Sequence, residues 1–184
     1  MLAVALAAPA LLVGQGVPNT IPVIITRVDP ATIDDLPPWV REALIKRACL
    51  IPQMHSDNLV NNIHSGYLVD SVTESYGLLC SHGGQSSVLV VTRDSTLTPP
   101  PILLRSDTSY LIGIRGAGGT RYEFARYLAL LKPEEVGSWC PLPAAEKRRV
   151  HNGVITFYQD REATAYYFAQ TTRQWIRCTV PDPD

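Results

Sequence analysis

The chain has 184 residues and a formal net charge of −1, and its length allows a sizeable hydrophobic core. A charge this close to zero argues against nucleic acid or an anionic membrane surface as a partner, because no strong positive field would attract either one. Charged residues make up 18% of the chain, below the roughly one quarter that is usual, and 15 residues are proline. This composition favours a mostly extended fold with many loops over a helical bundle.

The N-terminal segment resembles an export signal. No charged side chain precedes Arg27, and residues 2–13 have the length of the apolar region of a signal peptide. We expect residues 1–16 to be a signal peptide and residues 17–184 to form a single domain, periplasmic or secreted. A membrane anchor and a buried segment of a cytosolic protein are the alternatives. The anchor is disfavoured because only about 12 consecutive residues are apolar where about 20 are needed, so no stable membrane insertion is expected after signal removal.

Four cysteines are consistent with export, since an even number outside the cytosol usually forms disulfides. Three pairings are possible, and we favour Cys49–Cys80 with Cys140–Cys178. The first pair would join the end of a predicted helix to a predicted buried strand. Four buried free thiols are the alternative. No C-x-x-C motif is present, which argues against a zinc ribbon or a thioredoxin-like site.

The first half of the chain predicts one helix and several strands. Residues 22–27 are a possible edge strand, and residues 37–49 form an amphipathic helix with prolines in its first turn. Residues 55–66 are polar and are expected to be a loop. Alternating polarity in residues 67–72 predicts a strand with one solvent-exposed face.

Residues 76–92 predict a β-hairpin around which the fold is organised. Apolar runs at 77–80 and 88–91 flank a polar turn that contains Gly83 and Gly84. Residues 88–91 are apolar at every position, so this strand should be central and covered on both faces.

The second half predicts short strands at 102–105 and 110–114, a glycine-rich turn, a helix and a terminal meander. The pattern Thr120-x-x-Glu123 is typical of a capping box and predicts a helix over 121–131, which Pro133 would end. Residues 138–143 are expected to be a loop. Three β-prone segments at 154–158, 163–169 and 174–180 complete the meander. The predicted class is therefore α+β: a mixed, mainly antiparallel sheet with two helices, at about 37–49 and 121–131, packed on it.

Several short stretches resemble a family of uncharacterised exported bacterial proteins. These are Leu36-Pro37-Pro38-Trp39, Cys49-Leu50-Ile51-Pro52-Gln53 and Leu79-Cys80-Ser81, together with a late aromatic meander around Trp175. The resemblance implies export and the Cys49–Cys80 disulfide. It implies no known activity.

A possible anion-binding site follows from the predicted second helix. Gly118, Gly119, Thr120 and Arg121 would lie at its start, where free backbone N–H groups, the helix dipole and a guanidinium attract anions. The loop matches neither a Walker A motif nor a G-x-G-x-x-G fingerprint. A glycine turn before a capped helix, without any ligand, is the alternative.

A possible binding face lies in the terminal meander. Tyr166, Phe168 and Trp175, with Arg173 and Arg177 nearby, could present aromatic and cationic groups to a glycan or a protein. Because one row of a meander normally faces the core, packing of these aromatics in the interior is the alternative.

No catalytic residue, metal site or cofactor is predicted. The chain lacks a G-x-S-x-G elbow, its four histidines are scattered, and a disulfide at Cys80 would remove the only thiol close to His82. We therefore expect an exported binding or accessory protein of the cell envelope, with an unknown protein or envelope component as its partner. An envelope hydrolase with dispersed acidic or histidine residues is the alternative.

Overall fold

The computed structural model describes Val23 and residues 25–54, 61–116, 119–158 and 162–179. The predicted α+β class is wrong, because the fold is mostly β: the described residues form four antiparallel sheets of two or four strands and two short α-helices. The predicted signal peptide, residues 1–16, lies outside the described residues.

The first half of the chain builds one four-stranded sheet. Its elements are β1 (Arg27–Val28), α1 (Pro38–Lys46), β2 (Ile51–Pro52), β3 (Ile63–Gly66), β4 (Ser75–His82), β5 (Gln85–Thr92) and β6 (Ile102–Ser106). The order in the sheet is β3-β4-β5-β6, and every pair is antiparallel. Strands β1 and β2 form a separate two-stranded sheet.

The second half builds a second four-stranded sheet and a hairpin. Its elements are β7 (Leu111–Gly116), β8 (Gly119–Phe124), β9 (Arg126–Leu131), α2 (Pro133–Trp139), β10 (Gly153–Tyr158), β11 (Glu162–Ala169) and β12 (Gln174–Thr179). The sheet order is β12-β11-β10-β9, which confirms the predicted terminal meander, and β7 pairs with β8.

The predicted hairpin at residues 76–92 is confirmed as β4 and β5. His82 pairs with Gln85 across a two-residue turn, and both turn residues have positive φ, 56° at Gly83 and 77° at Gly84. Glycine adopts this backbone without a steric penalty, and the primed turn it forms matches the twist of the strands. Strand β5 is central and buried on both faces, as its apolar sequence predicts.

The predicted helix over 121–131 is wrong, because this segment forms most of β8 and all of β9. The Thr120-x-x-Glu123 pattern lies within a hairpin strand that pairs with β7, and it caps no helix. Strand β9 carries buried or half-buried side chains on both faces. A nearly continuous apolar run fits the periodicity of a helix and that of a strand equally well. Here the segment forms a strand because it hydrogen-bonds to β10.

Two other predictions, the strand at residues 67–72 and the role of Pro133, also differ from the structure. Residues 67–72, predicted as a strand, are non-regular, and the strand lies earlier, at β3. Pro133 was expected to end a helix but stands in the first turn of α2, where its missing N–H is tolerated. Glu135 accepts a hydrogen bond from the backbone N–H of Lys132 (2.7 Å) and so closes that turn.

The two four-stranded sheets face each other across a shared apolar core. Leu79, Val88 and Val90 come from the first sheet, and Leu128, Val154, Tyr166 and Phe168 come from the second. All seven side chains are buried. Burial of apolar area on this scale is the main source of folding free energy, so the fold depends on this contact between the sheets.

Each outer sheet face carries a short helix and a disulfide. Helix α1 buries Val40 and Leu44 against the first sheet, and α2 buries Val136 against the second. Both predicted cysteine pairings are present: Cys49 joins Cys80 of β4, and Cys140, at the end of α2, joins Cys178 of β12. The Cα–Cα distance is 5.4 Å in each pair, and the described residues include no free cysteine.

The sheets are joined by polar contacts along one side, where β3 approaches β9. Asn62, fully buried with φ 67°, donates from Nδ2 to the carbonyl of Pro52 (2.6 Å) and accepts from the backbone N–H of Leu128 (2.7 Å). His64 Nε2 donates to the carbonyl of Leu128 (2.8 Å). These contacts close this side of the sandwich and leave β6 and β12 as the edges on the other side.

The two disulfides should contribute similarly to stability, because they close loops of similar length, with sequence separations of 31 and 38. We expect the double variants Cys49→Ala/Cys80→Ala and Cys140→Ala/Cys178→Ala each to lower the free energy of unfolding by about 2–4 kcal/mol in urea titrations. Mass spectrometry of the alkylated native protein is the control and should find no free thiol. Free thiols in the native protein, or a double variant as stable as the parent, would contradict the assignment.

Candidate functional site

A cleft of about 340 Å³ opens between the edge strands β6 and β12, on the side of the sandwich opposite the β3–β9 contact. Its volume is at the lower end of the range for small-molecule sites. The lining combines three arginines, one carboxylate, three aromatic rings and aliphatic side chains. These residues are Ile102, Leu103, Leu104, Arg105, Tyr110, Arg126, Glu162, Tyr166, Trp175 and Arg177.

Arg126 lies at the inner end of this cleft and is only 1% exposed. It begins β9 on the inward face, where its guanidinium donates to Thr156 Oγ1 (2.5 Å) and its Cζ lies 4.5 Å from the centroid of the Tyr110 ring. Its Nε is buried and has no hydrogen-bond partner among the described residues. No ion pair between described residues includes Arg126. Within the described part of the chain, a hydroxyl and an aromatic face are therefore the polar partners of this buried cation, and this arrangement is unfavourable without a nearby anion.

Tyr110 connects the two sheets beside Arg126. Its hydroxyl accepts from the backbone N–H of Arg105 in β6 (3.0 Å), and its ring packs edge-on against Tyr158 of β10, with centroids 5.4 Å apart. The Tyr158 hydroxyl donates to the carbonyl of Leu111 (3.1 Å). This network fixes the ring that supports the Arg126 guanidinium, so the inner end of the cleft is pre-organised.

The rim of the cleft is polar and accessible. Arg105 is exposed, and the Arg177 side chain is 63% exposed with its Nη2 3.8 Å from Glu162 Oε1. An ion pair this exposed contributes little to stability, so Arg177 is free to exchange partners. Trp175 is half-buried and packs edge-on against Phe168 (5.8 Å between centroids).

Charge in the cleft is unbalanced, with three arginines and one glutamate among its lining residues, a formal excess of two positive charges. Burial raises the pKa of the Tyr166 hydroxyl, while the positive charges of Arg126 and Arg177 oppose that rise. A tyrosine is already protonated at physiological pH, and a shift in this direction leaves Tyr166 neutral. It therefore does not neutralise the arginines.

A larger depression of about 700 Å³ lies beside α2, lined mainly by prolines and aliphatic residues. Its two charged side chains, Glu134 and Lys147, are exposed. The described residues that line it include no buried polar side chain to orient a ligand, and the cleft between β6 and β12 is therefore the better candidate.

A second polar cluster, around Asp107, has a structural role. Asp107 is 1% exposed and accepts hydrogen bonds from Ser81 and from Ser86 Oγ (2.5 Å), and it pairs with Arg27 Nη2 (2.6 Å). Burial disfavours the charged carboxylate, but these hydrogen bonds and the Arg27 charge outweigh burial and lower the pKa of Asp107. The cluster links β1, β4 and β5 to the turn after β6.

The predicted anion-binding residues do not lie at a helix start. Gly119, Thr120 and Arg121 belong to β8, and Gly118 lies outside the described residues. Arg121 forms an ion pair with Glu123 on the same strand. The helix dipole and free N–H groups on which that prediction depends are therefore absent from this position.

The predicted aromatic face is only partly accessible. Tyr166 and Phe168 are 3% and 5% exposed and belong to the core between the sheets, in agreement with the alternative interpretation. Trp175 and Arg177 reach the cleft from β12, and Tyr166 contributes to its lining. Of the three aromatics, Trp175 is the one most accessible to a ligand.

Sequence reasoning missed Arg105, Tyr110, Arg126 and Glu162. They come from β6, the turn after it, β9 and β11, so no local motif connects them. Arg126 carried one usable signal, a charged residue inside the otherwise apolar run at 124–131. In a strand that is covered on both faces, every side chain points into the protein, so the charged side chain of Arg126 must be buried.

The described residues contain neither a cluster of metal ligands nor a membrane-spanning helix. Among the described residues, no three His, Cys, Asp or Glu side chains lie close enough together to hold a metal ion. Cys80 is oxidised, so it offers no thiolate to His82, whose Nδ1 lies 3.2 Å from the carbonyl of Ala48. Neither described helix is long and apolar enough to cross a bilayer.

No protein-family model, curated protein or solved structure matches this chain. The resemblance to exported bacterial proteins therefore gains no support from them, and it stays a prediction. The function has to be argued from the cleft itself.

The Asp107 cluster predicts a specific acid sensitivity. Because the pKa of Asp107 is lower in the folded state, its stabilising contribution is complete above the unfolded pKa of about 3.9 and is lost as pH falls through the folded pKa. We expect Asp107→Asn to lower the free energy of unfolding by about 2–4 kcal/mol at pH 7, because it leaves Arg27 without its partner. The difference from the parent should shrink below about pH 4.

Denaturant unfolding at pH 7 and at pH 3 measures this difference. Asp34→Asn, at an exposed position, is the matched control and should change stability by less than about 0.5 kcal/mol. A deficit for Asp107→Asn that is equal at both pH values would refute the electrostatic role of the cluster.

Proposed function

We propose that this chain is an exported binding protein of the cell envelope or extracellular space, and that the cleft between β6 and β12 is its binding site. The two disulfides support an oxidising compartment, because such bonds rarely persist in the cytosol. The fold supports a binding role, since a sandwich open on one side exposes part of its inner surface there.

The lining of the cleft is the observation that carries this proposal. A half-buried Trp175, aliphatic residues of β6 and three arginines line it, with the buried Arg126 at the inner end. Apolar walls with a few fixed polar groups are typical of small-molecule sites. Because Arg126 and Tyr110 are held in place by the fold, little conformational entropy would be lost there on binding.

The hydrolase alternative has less support. Glycoside hydrolysis generally requires two carboxyl groups on opposite sides of the bond that breaks. Glu162 is the one carboxylate among the described residues that line the cleft, and it already faces Arg177. Binding without turnover is therefore the function we propose.

The indole NMR signals of the three tryptophans can report ligand binding at the cleft. Trp175 lines the cleft, whereas Trp39 and Trp139 belong to the core clusters under α1 and α2. We expect a fragment library of acids, amines and neutral heterocycles to shift the Trp175 indole signal in 15N-edited NMR spectra and to leave the other two unchanged. Tryptophan-to-phenylalanine variants assign the signals. No shift of the Trp175 signal with any fragment at millimolar concentration would rule out the cleft as a binding site.

Export is a separate expectation with its own test. Bacteria that express the full chain should place it in the periplasmic or secreted fraction, with about the first 16 residues removed. Deleting residues 1–16 provides the control, which should stay in the cytosol. An uncleaved chain found in the cytosol would show that the export assignment is wrong.

A further inference from the structure

We propose that the cleft between β6 and β12 selects small organic anions, with a carboxylate or phosphate group bound by Arg105 and Arg177 and a planar apolar body beside Trp175. This inference rests on the binding function proposed for the cleft and adds the chemical class of the ligand.

The buried charge of Arg126 is the first argument for an anion. Its guanidinium is almost fully enclosed, and among the described residues its one hydrogen bond goes to Thr156 Oγ1 and its cationic group lies over the Tyr110 ring. Electrostatic interactions are stronger in such a poorly solvated region than in water. Arg126 therefore gives the inner end of the cleft a positive potential, which an anion in the cleft would compensate.

The rim arginines supply the direct contacts. Arg105 on β6 and Arg177 on β12 approach the cleft from its two edges and are both accessible. A guanidinium donates two parallel hydrogen bonds to a carboxylate or phosphate, which makes arginine the usual partner of both groups. Glu162 Oε1 lies 3.8 Å from Arg177 Nη2, so this carboxylate competes with a bound anion for the same guanidinium. An incoming anion would replace it.

The shape of the lining defines the rest of the ligand. Trp175 is half-buried, and Ile102 and Leu104 are its partly buried aliphatic neighbours in the lining. These surfaces suit a flat apolar body, and a volume of about 340 Å³ accommodates one ring system with its anionic substituent. An uncharged or cationic analogue of the same shape would gain the apolar contacts and lose the electrostatic ones.

The charge preference is tested with four probes that share one ring: benzoate, phenyl phosphate, benzamide and benzylammonium. Each is titrated into the oxidised full-length protein at constant ionic strength, and the Trp175 indole signal is followed. We expect benzoate and phenyl phosphate to bind at least tenfold more tightly than benzamide, with benzylammonium the weakest. The two anions separate a carboxylate preference from a phosphate preference.

Two variants, one that removes a positive charge and one that removes a negative charge, should change benzoate affinity in opposite directions. Arg177→Gln should weaken benzoate binding about tenfold, because it removes one charge-assisted contact. Glu162→Gln should strengthen binding by a few fold, because it removes the competing carboxylate. Both positions are accessible, so the fold should tolerate the changes. Arg148→Gln, exposed and outside the cleft, is the matched control and should leave benzoate binding unchanged.

The outcomes separate this inference from the function on which it rests. Anion selectivity that falls with Arg177→Gln and rises with Glu162→Gln supports both. If benzamide or benzylammonium binds as tightly as benzoate, the anion inference is overturned while the cleft remains a binding site. If neither these probes nor the fragment library moves the Trp175 signal, the inference and the proposed function are overturned together.

Discussion

Apolar contact between the inner faces of the two four-stranded sheets is the constraint on which the other features depend. Leu79 and Val90 from one sheet meet Leu128 and Phe168 from the other, and Asn62 and His64 join the sheets by hydrogen bonds along one side. On the opposite side no hydrogen bond between described residues joins β6 to β12, and a cleft opens between these two strands. The same packing forces Arg126, on the inward face of β9, into a buried position at the end of that cleft.

The sequence alone predicted the elements whose backbone conformation is limited to a few residue types or is strongly preferred by them. The Gly83–Gly84 turn predicts its hairpin because few other residues adopt that backbone, and the terminal meander follows from its β-prone segments. The signals failed at 121–131, where apolar residues on both faces fit either periodicity. Pro133 was similarly ambiguous, since proline is frequent both shortly after a helix ends and in the first turn of the next one.

The candidate site was harder to predict than the fold. Trp175 and Arg177 were recognisable as part of a possible binding surface, because aromatic and cationic residues are frequent in the terminal β-prone segments. Arg105, Tyr110 and Arg126 were not, because their proximity depends on how the two sheets pack and on which edges remain open. Tyr166 and Phe168 were predicted to belong to the binding face but lie in the core. Aromatic residues on a strand suit an interior as well as a binding face, so the sequence could not distinguish the two.

The order of the cysteines along the chain has a consequence for biogenesis. Cys49 and Cys80 both belong to the first half, and Cys140 and Cys178 both belong to the second. The pairs are consecutive, so under the proposed export a chain that enters the oxidising compartment N-terminus first can form its first disulfide before the third cysteine arrives. Correct connectivity then requires only that each unpaired thiol react with the next one to arrive, so the native pairing needs no rearrangement of sulfurs.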